Sequence, residues 1–223
     1  MRLVCISDTH ARHAELALPA GDVLLHAGDF TRRGSERDIL DFDAWLAEQP
    51  HAHKLVVAGN HDFLFERAPE RAEALLRSAL YLRDSGVELE GVRFWGSPWQ
   101  PEFHRWAFNL ERGAALAAVW ARIPDDTDVL ITHGPPRDRL DTTARGEAVG
   151  CDDLLERVRA LRPALHVFGH IHEAAGVLRD AHTTYANACS LNLAYEPAHA
   201  PLLFDLERDA QGRLRVESVA TGD

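Results

Sequence analysis

Short apolar runs recur along the chain, each closed by small or polar residues: Leu3 to Ile6, Val23 to Leu25, Leu55 to Val57, Val129 to Ile131 and Leu165 to Phe168. Continuous runs of this length, rich in Val, Ile and Leu, suit strands buried on both faces. Helical patterns lie between them. Ser35 with Asp38 makes a capping signal ahead of Ile39, Phe42, Trp45 and Leu46. Pro69 opens a second helix that places Ala72, Leu75, Leu76, Ala79 and Leu80 on one face, with Gly86 after it. Leu116, Val119, Trp120 and Ile123 mark a third helix, and Leu154, Leu155, Val158 and Leu161 a fourth. After Gly86 the alternation changes. Val87 to Phe94, broken at Glu90-Gly91, reads as a hairpin, while Thr183 to Ala188 and Leu202 to Leu206 read as strands without intervening helices. The expected class is α/β: two mixed sheets packed together with helices outside, in a single domain over residues 1–223. The segment from Asp138 to Gly150, with two glycines and alternating charge, is expected to be a long mobile loop.

Composition narrows the function classes. A chain of 223 residues is long enough to bury roughly 70% of its unfolded surface without disulfide or oligomer support. Its net charge of -11 argues against gripping nucleic acid along its length and against a basic membrane-surface helix. No run approaches the roughly 18 apolar residues of a membrane span, and the N-terminal run is too short for a signal peptide. A cytoplasmic protein with free thiols is the expectation. Cys5, Cys151 and Cys189 lie far apart, so neither a disulfide framework nor a thiolate zinc site is indicated. The unusual count is 13 histidines beside one methionine.

Polar residues of metal-ligand type sit just after the apolar runs, where open α/β sheets place their ligands. They read Asp8-Thr9-His10, Gly28-Asp29, Gly59-Asn60-His61-Asp62, His133-Gly134 and Gly169-His170-Ile171-His172. With this composition D-x-H and G-D each occur by chance about once, whereas G-N-H is expected about 0.02 times and G-H-x-H about 0.05 times. The joint occurrence, at strand ends, is therefore the informative signal.

These blocks, in this order, resemble the calcineurin-like metallophosphoesterase superfamily, and the resemblance covers most of the chain. The longer runs from Gly21 to Asp29, Val57 to His61, Gly96 to Pro101 and Ile131 to Pro136 look like its branch of small metallophosphoesterase-domain proteins. The resemblance implies a four-layer αββα sandwich, a centre of two divalent metal ions and phosphoester hydrolysis. One ion would be held by Asp8, His10 and His172 with Asp29 as shared carboxylate, and the other by Asp29, Asn60, His133 and His170. Asp29 is the expected bridge because a carboxylate has two oxygens to divide between ions roughly 3.5 to 4 Å apart. The mixed carboxylate and imidazole set favours Mn²⁺ or Fe, admits Zn²⁺, Ni²⁺ or Co²⁺, and disfavours calcium. Water held between such ions loses a proton near neutral pH and attacks phosphorus in line. By resemblance His61 is the catalytic residue, facing the phosphate and assisting the leaving oxygen.

One position departs from the pattern. Many phosphoprotein phosphatases carry an aspartate three residues after the bridging one, to orient the catalytic histidine; here that residue is Arg32. Asp62 is a candidate replacement by adjacency only. The loss points to an activated or unhindered phosphodiester rather than a phosphoprotein. Arg33 is a candidate phosphate contact, with an exposed salt-bridged arginine as the equal alternative. Among Trp95, Trp99, Phe103, Trp106 and Phe108, core packing is favoured, with Trp99 and Phe103 the best candidates for stacking a base. His26 is balanced between supporting a ligand and plain packing, and Asn187 between supporting the site and a turn hydrogen bond. Cys189 reads as a small buried hydrophobe, and Arg137, Arg139 and Arg145 as a solvated face. The leading expectation is a phosphodiesterase for small phosphodiesters, cyclic nucleotides first. The alternatives are a phosphomonoesterase or nuclease, or a non-catalytic nucleotide-binding or scaffold module. A small phosphodiester or nucleotide is the expected partner, with no extended nucleic acid, no membrane, and oligomeric state left open.

Overall fold

The structure, a computed structural model, describes residues 1–219. In chain order its elements are β1 (Arg2–Ile6), β2 (Val23–His26), α1 (Glu36–Glu48), β3 (His53–Val56), α2 (Phe63–Arg67), α3 (Pro69–Leu75), β4 (Leu80–Tyr81), β5 (Ser85–Leu89), β6 (Val92–Ser97), β7 (Gln100–Pro101), β8 (Asn109–Leu110), α4 (Ala114–Trp120), β9 (Val129–Thr132), α5 (Asp152–Leu161), β10 (Leu165–Phe168), β11 (Gly176–Arg179), β12 (Thr184–Asn187), β13 (Leu202–Arg208) and β14 (Leu214–Val219). One sheet runs β14-β13-β1-β2-β3-β4 and the other β11-β12-β10-β9-β6-β5. Both are mixed. β1 to β4 pair in parallel, and β13 and β14 close that sheet antiparallel. In the second sheet β6, β9, β10 and β12 are parallel, with antiparallel strands β5 and β11 at the edges.

The period of two along each strand explains the layering. Leu3 and Cys5 of β1, Val23 and Leu25 of β2, Val129 and Ile131 of β9, and Leu165 and Val167 of β10 meet in one buried cluster between the sheets. The alternate residues Val4, Ile6, Leu24 and Val56 face outward, where Ile39, Phe42 and Leu46 of α1, Phe65 of α2 and Ala72 of α3 cover them. On the other side Leu130 and Phe168 are covered by Leu116 and Trp120 of α4 and Leu154 and Val158 of α5. The result is the four-layer αββα sandwich. Strands buried on both faces need apolar residues at every position, which is why the runs are continuous.

Ser35 caps α1 as expected, its Oγ accepting from the Asp38 N–H at 3.1 Å. The hairpin β5–β6 turns at Glu90 and Gly91, both with positive φ (50° and 76°), the geometry of a two-residue turn that matches strand twist. Other expectations are corrected. α3 stops at Leu75, and Leu80 belongs to β4, paired with Leu55. The Asp43 carboxylate of α1 takes the N–H groups of Arg77 and Ser78 at 2.6 and 2.7 Å, so those donors leave the helical ladder. The segment from Asp138 to Gly150 is a folded loop rather than a free one: buried Asp141 accepts from the N–H groups of Asp138 and Gly150 at 3.0 and 2.8 Å. α2, β7, β8, β11 and β14 had no pattern strong enough to announce them.

Candidate metal centre

The predicted polar blocks gather at one edge of the two sheets because each follows a parallel strand: Asp8 and His10 after β1, Asp29 after β2, Asn60 and His61 after β3, His133 after β9, and His170 and His172 after β10. Turning sharply at that edge requires unusual backbone. Asp8, His10, Asp29 and His170 all take positive φ, at 53°, 43°, 58° and 71°, a region costly to most side chains and typical of functional sites. The glycines of the blocks answer to the crowding. Gly28 has φ of 106°, and a Cβ there would stand 2.5 Å from His133 Nδ1. A Cβ on Gly169 would collide with Ser7 Oγ and Asp8 Oδ2.

Among the described residues three groups of potential ligand atoms result, buried but for His61: Asp8 with His10 and His172, Asp8 with Asp29 and His133, and His10 with Asp29 and His61. His10 Nε2 and His172 Nε2 face each other at 3.4 Å, and Asp8 Oδ1 lies 3.5 Å from His172 Nε2. His133 Nε2 lies 2.8 Å from Asn60 Oδ1 and 3.5 Å from Asp29 Oδ2. His170 stands apart from these groups; its ring lies 5.0 Å from that of His133, and its N–H donates to Asp8 Oδ2 at 2.9 Å. Asp29 Oδ1 accepts the His61 N–H at 2.7 Å, so only Oδ2 faces the histidines His10, His61 and His133. Asp29 thus sits between the two sets of candidate ligands, as a shared carboxylate would.

Two of the imidazoles have their second nitrogen engaged by a backbone carbonyl. His133 Nδ1 meets the Ala27 carbonyl at 3.0 Å and His172 Nδ1 the Asn192 carbonyl at 3.0 Å, which turns both Nε2 atoms inward. Three donors hold Asp8 Oδ2, from Ser7 Oγ, the His170 N–H and the Cys189 thiol at 3.1 Å. Cys189 is therefore a partner of the site and not merely a small hydrophobe. Asp8 Oδ1 is buried without a hydrogen-bond partner. An orphaned carboxylate oxygen, facing imidazole nitrogens and an amide oxygen close by, fits divalent cations with mixed N/O ligands.

Electrostatics divides the histidines. Burial pushes His10 down to about 4 and His170 to about 3, leaving neutral rings with free lone pairs. Burial acts the same way on His133 and His172 but is outweighed, by the nearby Asp29 and Asp8 carboxylates respectively, and both rise to about 9. Asp8 and Asp29 are held well below the usual carboxylate range: burial opposes this, and His172 beside Asp8 and His133 beside Asp29 lead the groups that overcome it.

Other residues resolve. His61 Nδ1 lies 2.7 Å from the Arg32 carbonyl, so the backbone of the deviant residue orients this ring. Asp62 is instead buried beneath the site: Oδ2 accepts from the Asp29 and Gly59 N–H groups at 2.9 and 2.8 Å, and Oδ1 from the Thr31 N–H at 2.9 Å. It is not placed to touch a substrate. Nor is Trp99, whose Nε1 donates to Asp84 Oδ2 at 2.8 Å and whose ring packs against Phe108. Arg33 is exposed and lines neither cavity at the centre. His26, held neutral by burial that pushes it to about 3, bonds Thr9 Oγ1 at 3.0 Å, between two ligand candidates. Asn187 donates to the Ile171 carbonyl at 2.9 Å, between His170 and His172.

Sequence reasoning missed Tyr195, which comes from a loop without apolar period. Its ring stands 4.8 Å from His10 and 5.5 Å from His172. Trp106 was left to the core, yet its ring lies edge-on to His61 at 3.9 Å. Two cavities reach the centre, both bounded by His61 and Tyr195, with volumes of about 630 and 500 Å³. Among the described residues no helix is long and apolar enough to cross a membrane.

Comparison with known proteins agrees with this geometry. Residues 1–174 match the family described as calcineurin-like phosphoesterase. A human relative named metallophosphoesterase domain-containing protein 1 is 44% identical over 230 residues, covering 92% of this chain and 71% of that protein. A UPF0046 protein of Caenorhabditis elegans is 41% identical over 218 residues, covering 92% and 74%. The solved structure of TT1561 of Thermus thermophilus aligns with a TM-score of 0.60 at 15% identity, over 97% of this chain and 98% of that one. That of a 5′-nucleotidase precursor from the same organism aligns with a TM-score of 0.55 at 14% identity, over 98% of this chain and 53% of that one. The solved structures share the fold; family membership rests on the sequence matches. The chain belongs to the calcineurin-like phosphoesterase family and is a metal-dependent phosphoester hydrolase.

Proposed function

We propose that the protein is a phosphodiesterase for small phosphodiesters, cyclic nucleotides among them, working with two divalent ions, Mn²⁺ or Fe ahead of Zn²⁺, Ni²⁺ or Co²⁺. One observation carries the diester reading: the centre opens on two sides of His61. A diester phosphorus has two organic arms to place, and a monoester has one. Phe103, Trp106 and Tyr195 rim the larger opening and give a base or other flat group aromatic surface to lie on.

The residues divide the work. Asp8, His10 and His172 would hold one ion and Asn60, His133 and His170 the other, with the Asp29 carboxylate shared. When bound, the ions activate water and neutralise charge on the phosphate oxygens. His61 keeps its Nδ1 on the Arg32 carbonyl and directs Nε2 toward the centre, where a proton on that atom can pass to the leaving oxygen. The Trp106 ring against His61 limits water on that side.

In Mn²⁺ the protein is expected to hydrolyse bis(p-nitrophenyl) phosphate and 2′,3′- or 3′,5′-cyclic nucleotides. Its kcat/KM for the bis-aryl diester should exceed that for p-nitrophenyl phosphate by about tenfold or more, a barrier difference of about 1.4 kcal/mol. A monoester preferred over the diester, or no turnover with any of these metals, would sink the reading. Elemental analysis separates a scaffold: two ions per chain agree with catalysis, and none after metal-replete purification does not.

Loading must also displace protons. At neutral pH without metal, His133 and His172, both raised to about 9, are protonated, and ligation needs their neutral form. Metal affinity is therefore expected to weaken as pH falls below about 9, with protons released on binding; calorimetry in buffers of different ionisation enthalpy measures the release. The metal-free protein is expected to follow the opposite trend in stability. The stabilisation from these two raised groups is complete below their ordinary 6.5 and is lost as pH climbs through about 9. Thermal unfolding of stripped protein across that window checks it.

A further inference from the structure

The two openings differ in chemistry. The larger carries exposed apolar side chains, Phe103, Leu193 and Tyr195, together with the carboxylates Glu102 and Glu173. Its arginine, Arg112, is occupied: it donates to the Gly150 and Val149 carbonyls at 2.8 and 2.7 Å and pairs with Asp152. The smaller opening is lined by His10, Arg12, Arg32, His61, Ala194 and Tyr195, and by no carboxylate among the described residues.

Its two arginines have separate tasks. Arg12 holds Glu15 through two 2.7 Å bonds and donates a third to the Tyr195 carbonyl. It thereby braces Tyr195, the wall between the openings, whose backbone φ is 59°. Arg32 is different. Its backbone is engaged, the N–H at Asp38 and the carbonyl at His61, while its guanidinium has no ion-pair or hydrogen-bond partner among the described residues. Arg33 is likewise unpaired among the described residues but lines neither opening, so what marks Arg32 is its place in the smaller opening with His61. A guanidinium presents a planar fork of donors that matches phosphate.

We propose that the smaller opening is a second anion subsite in which the Arg32 side chain contacts a phosphate, and that the preferred substrates are phosphodiesters bearing a further phosphate group on one arm. The proposal rests on the phosphodiesterase reading above. The larger opening, apolar and edged by carboxylates, takes the uncharged arm. The departure at Arg32 then has two consequences: the backbone supplies the orientation that a carboxylate gives elsewhere, and the side chain supplies a charge selective for an anionic arm.

The test uses the p-nitrophenyl ester of thymidine 5′-phosphate and the same ester carrying a 3′-phosphate, with the Mn²⁺-loaded protein. The bond broken is the same, so kcat should be similar, while the 3′-phosphate lowers KM by about tenfold, the effect of one charge-assisted contact. In R32Q the ratio of kcat/KM between the two esters should fall to about one, and taking the ratio within the variant cancels any shift of His61. R33Q, at the exposed neighbour that lines neither opening, should keep the advantage. No advantage in the wild type, or equal loss in R32Q and R33Q, overturns the subsite. Calorimetric binding of thymidine 3′,5′-bisphosphate against thymidine 5′-phosphate reads the same contact without turnover. If neither ester is hydrolysed, the phosphodiesterase reading fails, and the subsite stands or falls on whether the bisphosphate binds about tenfold tighter in wild type but not in R32Q.

Discussion

Replacing His61 with alanine is expected to lower turnover by a factor of about 10² to 10⁴ while leaving the metal content of the protein unchanged. The ring is the least buried of the imidazoles that face Asp29, with its side chain 13% exposed against 4% for His10 and 0% for His133. It also borders both openings. Its Nδ1 is committed to the Arg32 carbonyl, so Nε2 is the atom available for chemistry. The same Nε2 lies 3.9 Å from Asp29 Oδ2, within a group able to ligate an ion, and the variant decides between the two roles. Turnover lost with both ions retained identifies a proton donor. Loss of metal in step with turnover would make His61 a ligand and remove it from the acid role.

Asp62→Asn is expected to destabilise the protein by roughly 2 to 4 kcal/mol and to reduce its metal content, although Asp62 touches no metal and no substrate. Its two oxygens are shared among the N–H groups of Asp29, Thr31 and Gly59, and the Thr31 hydroxyl lies 2.8 Å away. An amide has one oxygen. Turned toward Asp29 and Gly59, it sets its NH₂ against the Thr31 N–H; turned the other way, it orphans two buried donors. The hydroxyl can rotate to accept, but a backbone N–H cannot. Because these bonds tie the Asp29 turn to the Gly59-Asn60 turn, loosening them moves the shared carboxylate relative to Asn60 and His133. Urea unfolding and elemental analysis measure both effects. Unchanged stability with full metal content would show that the clamp carries no weight.

How far the site was legible follows from where each signal lives. A parallel strand buried on both faces announces itself as an apolar run, and ligands of α/β proteins cluster at its carboxyl end. Asp8, Asp29, Asn60 and His133 could therefore be placed from local sequence alone. Trp99 could not. It was a candidate for stacking a base, but an acceptor elsewhere in the chain, Asp84, binds the indole N–H. Cys189 looked inert because its partner, Asp8, lies 181 positions back in the chain. The helix expected to run to Leu80 ended early because Asp43, on another helix, captured two N–H groups.

The sequence by itself determined the layers and the chemistry: alternation within buried strands sends one set of side chains between the sheets and the other under the helices, and the blocks at the strand ends supply oxygen and nitrogen ligands. Only the tertiary structure decided which atoms face inward. Imidazole orientation depends on what its second nitrogen meets, and for His133, His172 and His61 those partners are the carbonyls of Ala27, Asn192 and Arg32. Every residue but proline carries the same backbone N–H and carbonyl, so no residue type marks a carbonyl that will hold a histidine. For the same reason Arg32 read as the loss of an orienting group, when the chain keeps the orientation in its backbone carbonyl.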